Sequence, residues 1–330
     1  MKYNTRILRI VACAAALAAG PLGAAEYFIS PRGVAPFDGR SPATAFRTIQ
    51  QGVDVLRPGD ILTIAPGEYV ESVRRDGLGG PDAETVIRAE NPGTVLLRGD
   101  RPISGFRQVP GRLLSHGVSL PGTGAVQSVN ERDTLAVLNG MPNASEVEFA
   151  PGTFFHDPAA GTLTVSASDG QPADRHAYTV CLLPGHGLYL SRPCRVRVEG
   201  LTVTGFRAGR AGDPRDGALN STWGIYLAQA SRCVVRDCRA YLNGQGIGLS
   251  SGEAGGDNVI ERCAAWANAT PFGVGDRGGL TLHPAKRDTV RDSAAFLNGD
   301  FGINIRGAAA DGDGRTTPSV LLRSDAWGNG

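Results

Sequence analysis

Gly-Ile-Tyr-Leu (224–227), followed by Val-Arg-Asp-Cys-Arg-Ala-Tyr-Leu-Asn-Gly (235–244), is the stretch that decides the fold, because the same two elements return down the chain. The first returns as Gly-Ile-Gly-Leu (246–249), Gly-Leu-Thr-Leu (279–282) and Gly-Ile-Asn-Ile (302–305). The second returns as Ile-Glu-Arg-Cys-Ala-Ala-Trp-Ala-Asn-Ala (260–269), Val-Arg-Asp-Ser-Ala-Ala-Phe-Leu-Asn-Gly (290–299) and Leu-Leu-Arg-Ser-Asp-Ala-Trp-Gly-Asn-Gly (321–330). A repeat of this length is the signature of a solenoid. Apolar residues at every second position and β-branched enrichment specify short strands, with no room for a helix inside a coil. Each coil is therefore expected to stack on the next at about 4.8 Å.

Position by position, the second element yields three ladders: a small inward column (Cys238, Cys263, Ser293, Ser324), an aromatic column (Tyr241, Trp266, Phe296, Trp327) and an asparagine column (Asn243, Asn268, Asn298, Asn329). Asparagine tolerates the left-handed conformation of a tight corner, and its amide can bond to its neighbours along the stack, so this column is expected to make the corner.

On these residues the chain resembles the right-handed parallel β-helix (pectin-lyase-like) superfamily. The N-terminal part supports the resemblance, with Tyr-Phe-Ile-Ser-Pro-Arg-Gly (27–33), Pro-Ala-Thr-Ala-Phe-Arg-Thr-Ile-Gln (42–50) and Arg-Pro-Gly-Asp-Ile-Leu-Thr-Ile-Ala-Pro-Gly-Glu-Tyr (57–69). Thr48 and Gln51 are spaced as a capping box, and Ile49, Val53 and Leu56 line one face of a short helix suited to closing the first coil. The resemblance covers 27–98 and 181–330.

The organisation read from the chain is a secretory signal over 1–25, an N-terminal cap and first coils over 26–98, an inserted module over 99–180 and β-helix repeats over 181–330 without a C-terminal cap. The signal rests on Lys2, Arg6 and Arg9, an Ala/Leu-rich run, and Gly23-Ala24-Ala25 as a cleavage site. No later run approaches a membrane span, so a secreted or periplasmic location is expected. The module shows strand-like runs at Leu135–Leu138, Glu146–Phe149 and Thr162–Val165 between turn signals, which predicts a small antiparallel sheet.

A net charge of +1 and the lack of a basic stripe argue against a nucleic-acid partner. Cys181, Cys194, Cys233, Cys238 and Cys263 match no zinc spacing. Cys238 and Cys263 are expected to be stacked neighbours, close enough for a disulfide but also suited to a column of inward thiols. Asp311-Gly-Asp313-Gly resembles half of a calcium loop without its later ligands.

In the Gly-x-x-x strand the second and fourth residues point inward and the third and fifth outward. The third positions Tyr226, Thr281 and Asn304 are therefore candidate ligand-binding residues. The fifth-position column (Ser191, Ala228, Ser250, His283, Arg306) brings His283 and Arg306 onto adjacent coils, with Lys286, Asp276 and Asp300 nearby. Two long connections, 207–223 and 270–278, leave the same corner and are expected to wall a groove, a shape suited to a linear polymer.

The resemblance implies a polysaccharide partner and two chemistries. β-Elimination on a uronic-acid polymer needs a base, for which His283 and Lys286 are candidates, and neutralisation of the carboxylate by Arg306 or a bound Ca²⁺. Lyases of this superfamily use a strand Lys or Arg with calcium on aspartates; this chain has no Lys within the strand and no matching aspartate run. Glycoside hydrolysis needs facing carboxylates, and Asp213, Asp216, Glu253, Asp257, Asp276 and Asp300 are candidates. A non-catalytic carbohydrate-binding or surface protein is the third alternative.

Overall fold

The computed structural model describes residues 23–122, 124–207, 222–269, 278–307 and 318–329. Three parallel sheets wind around one core, forming a right-handed parallel β-helix. Among the described residues the first sheet has eight strands, starting with Glu26–Ile29 and ending with Val320–Leu322; the second has seven, from Gly67–Val70 to Asp325–Trp327. The third has six: Val73–Asp76, Leu188–Ser191, Trp223–Ser231, Gln245–Gly256, Gly278–Leu282 and Phe301–Ile305.

Register follows the sequence columns. Ile225 pairs with Ile247, Ile247 with Leu280, and Leu280 with Ile303. In the second sheet Tyr241, Trp266, Phe296 and Trp327 are successive partners. The inward residues form one continuous core, with Val235, Ile260 and Val290 in the first sheet, Ala240, Ala265 and Ala295 in the second, and Leu227, Leu249 and Leu282 in the third.

The corners are built differently from the sequence expectation. Asn243, Asn268 and Asn298 point inward and buried, and the amide chain runs as expected: Asn243 N–H donates to Asn268 Oδ1 at 3.1 Å, and Asn268 Nδ2 to Asn298 Oδ1 at 2.9 Å. The left-handed residue is the one before, with φ of 53° at Leu242, 51° at Ala267, 55° at Leu297 and 60° at Gly328. The chain turns at that residue so that the following amide can face the interior and satisfy backbone groups of the adjacent coil.

The other corners repeat this device. Asp237, Arg262, Asp292 and Arg323 have positive φ just before Cys238, Cys263, Ser293 and Ser324. A further inward ladder, absent from the sequence reading, runs Cys233, Asn258, Asp288, Ser319: Cys233 N–H donates to Asn258 Oδ1, Asn258 N–H to Asp288 Oδ1 and Asp288 N–H to Ser319 Oγ. All five described cysteines are free, and Cys263 Sγ lies 3.4 Å from the Val235 carbonyl and 3.3 Å from that of Glu261.

The capping helix spans Ile49–Val55 with the full Thr48/Gln51 capping box. Ile49, Val53 and Leu56 are buried, and Gly52 lets the helix approach Ile29 and Leu62, where any Cβ would come within 2.5 Å of either. The Glu71 carboxylate caps the helix further by accepting from Ile49 and Gln50 N–H.

Between Arg98 and Leu182 the chain leaves the helix and builds one eight-stranded sheet, from Asp100–Ile103 to Tyr178–Cys181, antiparallel apart from one parallel pair at Asn139–Gly140 with Thr153–Phe154. Glu146–Phe149, expected as a strand, is a 3₁₀ turn. Asn143 Oδ1 accepts from Ser145 and Glu146 N–H, and that local bonding favours a turn over an extended run.

Candidate ligand-binding face

A solenoid of three sheets has three outer faces, and two of them are occupied by their own side chains. On the first sheet Glu199, Arg236, Glu261 and Arg291 are successive partners in the register. They alternate in charge, with Arg236 donating to Glu199 and Arg291 to Glu261, each at 2.8 Å.

On the second sheet the rings of Tyr241, Trp266, Phe296 and Trp327 stack at 4.7, 5.7 and 4.7 Å, all within 8° of parallel. Ring faces lie against ring faces, so solvent meets mainly their edges. The inserted module closes the earlier part of this face. Arg132 donates to Tyr241 Oη at 3.1 Å, and the buried Arg207 donates to Asn130 Oδ1 at 2.7 Å and to the carbonyls of Asn243 and Ala267. Burial brings the Arg207 guanidinium down to about 9, opposed by Cys181 and Asp100.

The third sheet differs. Its central outward column is Arg74, Tyr189, Tyr226, Gly248, Thr281, Asn304, each the register partner of the next. At five spacings it is about 24 Å long. Its first half is an aromatic block: Trp223 stacks on Tyr226 at 4.9 Å, His186 on Tyr189 at 4.9 Å, and the Arg74 guanidinium lies 5.2 Å from the Tyr189 ring. His186 Nδ1 accepts from Trp223 N–H at 3.0 Å. Burial and the nearby Arg74 lower His186 to about 4, so the ring stays neutral with its proton on Nε2.

Glycine makes room for the rings at two rungs. A Cβ at Gly248 would lie 2.4 Å from Trp223 Cζ3, and one at Gly278 would lie 2.3 Å from Phe301 Cε2. Gln245 Oε1, Thr281 Oγ1 and Asn304 Nδ2 are buried atoms without hydrogen-bond partners.

His283 and Arg306 follow on adjacent coils. His283 N–H donates to the Leu249 carbonyl and Arg306 N–H to that of Leu282, both side chains are exposed, and the Arg306 guanidinium lies 5.3 Å from the Phe301 ring. Asp300, half-buried, enters the Phe301 strand. Lys286 is buried in the corner between the third and first sheets, where its N–H donates to Asp288 Oδ2 and its carbonyl accepts from Asp257 N–H. The structure thus brings Tyr226, Thr281, Asn304, His283 and Arg306 onto one face and sets Lys286 behind it.

Asp276, Asp213, Asp216, Asp311 and Asp313, with most of 207–223 and 270–278, lie outside the described residues, as does the Glu253 side chain. Asp257 is held in a two-pronged pair by Arg287, which keeps its carboxyl below the usual range. Among the described residues no three His, Cys, Asp or Glu side chains come together to hold a metal ion, and no helix is long and apolar enough to cross a membrane.

Sequence reasoning did not single out Trp223, Gln245 and Phe301. They stand one position before the repeat glycine, and the available signal was a large side chain at that position on a coil next to a bare glycine.

No protein-family model matches the chain, and no curated protein is similar to it in sequence. Solved structures are similar in shape. XylC in complex with xylose superposes with a TM-score of 0.56 at 13% identity, over 84% of this chain and 59% of that one. A glycoside hydrolase follows at 0.48 and 13%, over 84% and 76%, and pectate lyase Pel9A at 0.39 and 13%, over 93% and 70%. At these identities the likeness is one of fold. This chain spans less than two thirds of the XylC chain.

Proposed function

We propose that this is an exported protein whose third sheet binds an acidic polysaccharide and cleaves it by β-elimination. The observation that supports this best is the difference between the faces: the first carries a ladder of alternating, mutually paired charges and the second a stack of aromatic rings, while the third carries an exposed imidazole and an exposed guanidinium on adjacent coils.

In the proposed reaction Arg306 pairs with the carboxylate of a uronate residue, which makes the proton on the adjacent carbon acidic. His283 removes that proton. The electron pair forms a carbon–carbon double bond as the bond to the glycosidic oxygen breaks, and that oxygen leaves with a proton from solvent. No water is added, so one product carries an unsaturated sugar.

A screen of acidic and neutral polysaccharides tests the reading. Ultraviolet absorbance from the conjugated product is expected on an acidic polymer, and Arg306→Ala should lower turnover roughly 100-fold. New reducing ends without that absorbance would identify a hydrolase instead, and retention without turnover a binding protein. Full activity in both Arg306→Ala and His283→Ala would remove these residues from the mechanism.

A further inference from the structure

We infer that the third sheet begins with a second carboxylate subsite, in which Arg74, His186 and Tyr189 hold the uronate group of a sugar five coils away from Arg306. The subsite deepens the proposed function and rests on it for the identity of the polymer.

Arg74 is exposed and makes no ion pair among the described residues. That sets it apart from the arginines of the first sheet, where Arg88, Arg197, Arg236 and Arg291 each meet a carboxylate. Its guanidinium lies 5.2 Å from the centre of the Tyr189 ring, and the His186 ring stacks on the same tyrosine at 4.9 Å. Tyr189 is the register partner of Arg74, so the three groups stand together at one end of the outward column. His186 Nδ1 accepts from Trp223 N–H, which leaves the Nε2 proton to donate. Neither that proton nor the outward Tyr189 hydroxyl is bonded to a described residue, and both side chains are only half-buried.

The guanidinium and the imidazole N–H offer donors only, and the phenol adds a third. An ionised carboxylate, which only accepts, matches that set, and stacking on a ring orients the arginine for two-pronged bonding. Arg40 and Arg47 also lie over rings, but in the loop before the capping helix, outside the strands of this column. Arg74 and Arg306 instead stand on the first and last coils of one face, five spacings or about 24 Å apart. An extended pyranose chain advances by close to one strand spacing per sugar. A trisaccharide seated at Arg306 therefore stops short of Arg74, whereas an octasaccharide reaches it.

The test separates binding from turnover. Calorimetric titration of the His283→Ala protein uses tri- and octasaccharides of galacturonate and of mannuronate, with gluco- and xylo-octasaccharides as neutral controls. At least one acidic octasaccharide is expected to bind about tenfold more tightly than its trisaccharide, and Arg74→Ala in that background should remove the advantage. Tyr189→Phe keeps the ring, loses the hydroxyl and should weaken octasaccharide binding about threefold. Both variants should melt within about 2 °C of the parent, because the changes are at outward-facing groups. The subsite is overturned if no acidic octasaccharide binds more tightly than its trisaccharide, if Arg74→Ala leaves that affinity unchanged, or if affinity for a neutral octasaccharide falls equally. Octasaccharide affinity lost in Arg74→Ala without any unsaturated product from the native protein would sink the lyase reading and leave the subsite standing. Unsaturated product with octasaccharide affinity unaltered in Arg74→Ala would do the reverse.

Discussion

Replacing Asn268 with alanine tests the corner ladder quantitatively. Its Oδ1 accepts from Asn243 N–H at 3.1 Å and from Asn243 Nδ2 at 3.3 Å, while its Nδ2 donates to the Ala240 carbonyl at 3.1 Å and to Asn298 Oδ1 at 2.9 Å. Asn243 Nδ2 keeps the Val203 carbonyl, and Asn298 Oδ1 keeps the residue-268 N–H, so neither is abandoned. Asn243 N–H is left buried and unpaired, which costs about 1–3 kcal/mol, and the remaining lost bonds add roughly 1 kcal/mol. The expected destabilisation is therefore about 3 kcal/mol. Asn329 makes the corresponding bonds to Asn298 at the less buried last coil, where water can replace them, and Asn329→Ala should cost less than about 1 kcal/mol. Guanidinium unfolding followed by far-ultraviolet circular dichroism measures both at constant m. Equal losses in the two variants, or a loss below about 0.5 kcal/mol for Asn268→Ala, would refute the ladder as a source of stability.

Three further outcomes are expected. Gly248→Ala should displace the Trp223 ring, cost about 1–3 kcal/mol through overpacking and alter the near-ultraviolet dichroism. His186 titrates near 4 in the fold against about 6.5 unfolded, so its contribution is complete above 6.5 and declines as pH falls towards 4, by at most about 3 kcal/mol; melting temperatures across that window should fall less steeply in His186→Asn. Arg262→Ala breaks a two-pronged pair with Asp237 but should cost less than about 1 kcal/mol by chemical denaturation, because that pair is solvent-exposed.

The coils were legible because each position of the repeat does one physical job with one kind of side chain, as in the Asn243-to-Asn329 column. The Cys233, Asn258, Asp288, Ser319 ladder was not, because four residue types do the same work, each accepting from or passing on a neighbour's N–H, and only hydrogen bonding relates them. The left-handed corners were hidden for a similar reason: Leu242, Ala267 and Leu297 read as apolar filler. Alternation placed Tyr226, Thr281 and Asn304 on the outer face, since period two needs no coordinates. It could not show that Trp223 and Phe301 lean over glycines of neighbouring coils, since that contact depends on side-chain direction between strands far apart in sequence. Nor could it show that Lys286 turns behind the face, because Lys286 lies past the strand, in a corner governed by Asp288.

The most direct test of the central claim, that the third face alone receives the polymer, is hydroxyl-radical footprinting with and without the acidic polysaccharide selected by the screen. The account predicts protection of Tyr226, His283 and Phe301, with Trp327 and the exposed residues of the first sheet unchanged. Protection of Trp327 or of the Arg236 and Arg291 strands, with His283 and Phe301 unaffected, would contradict it.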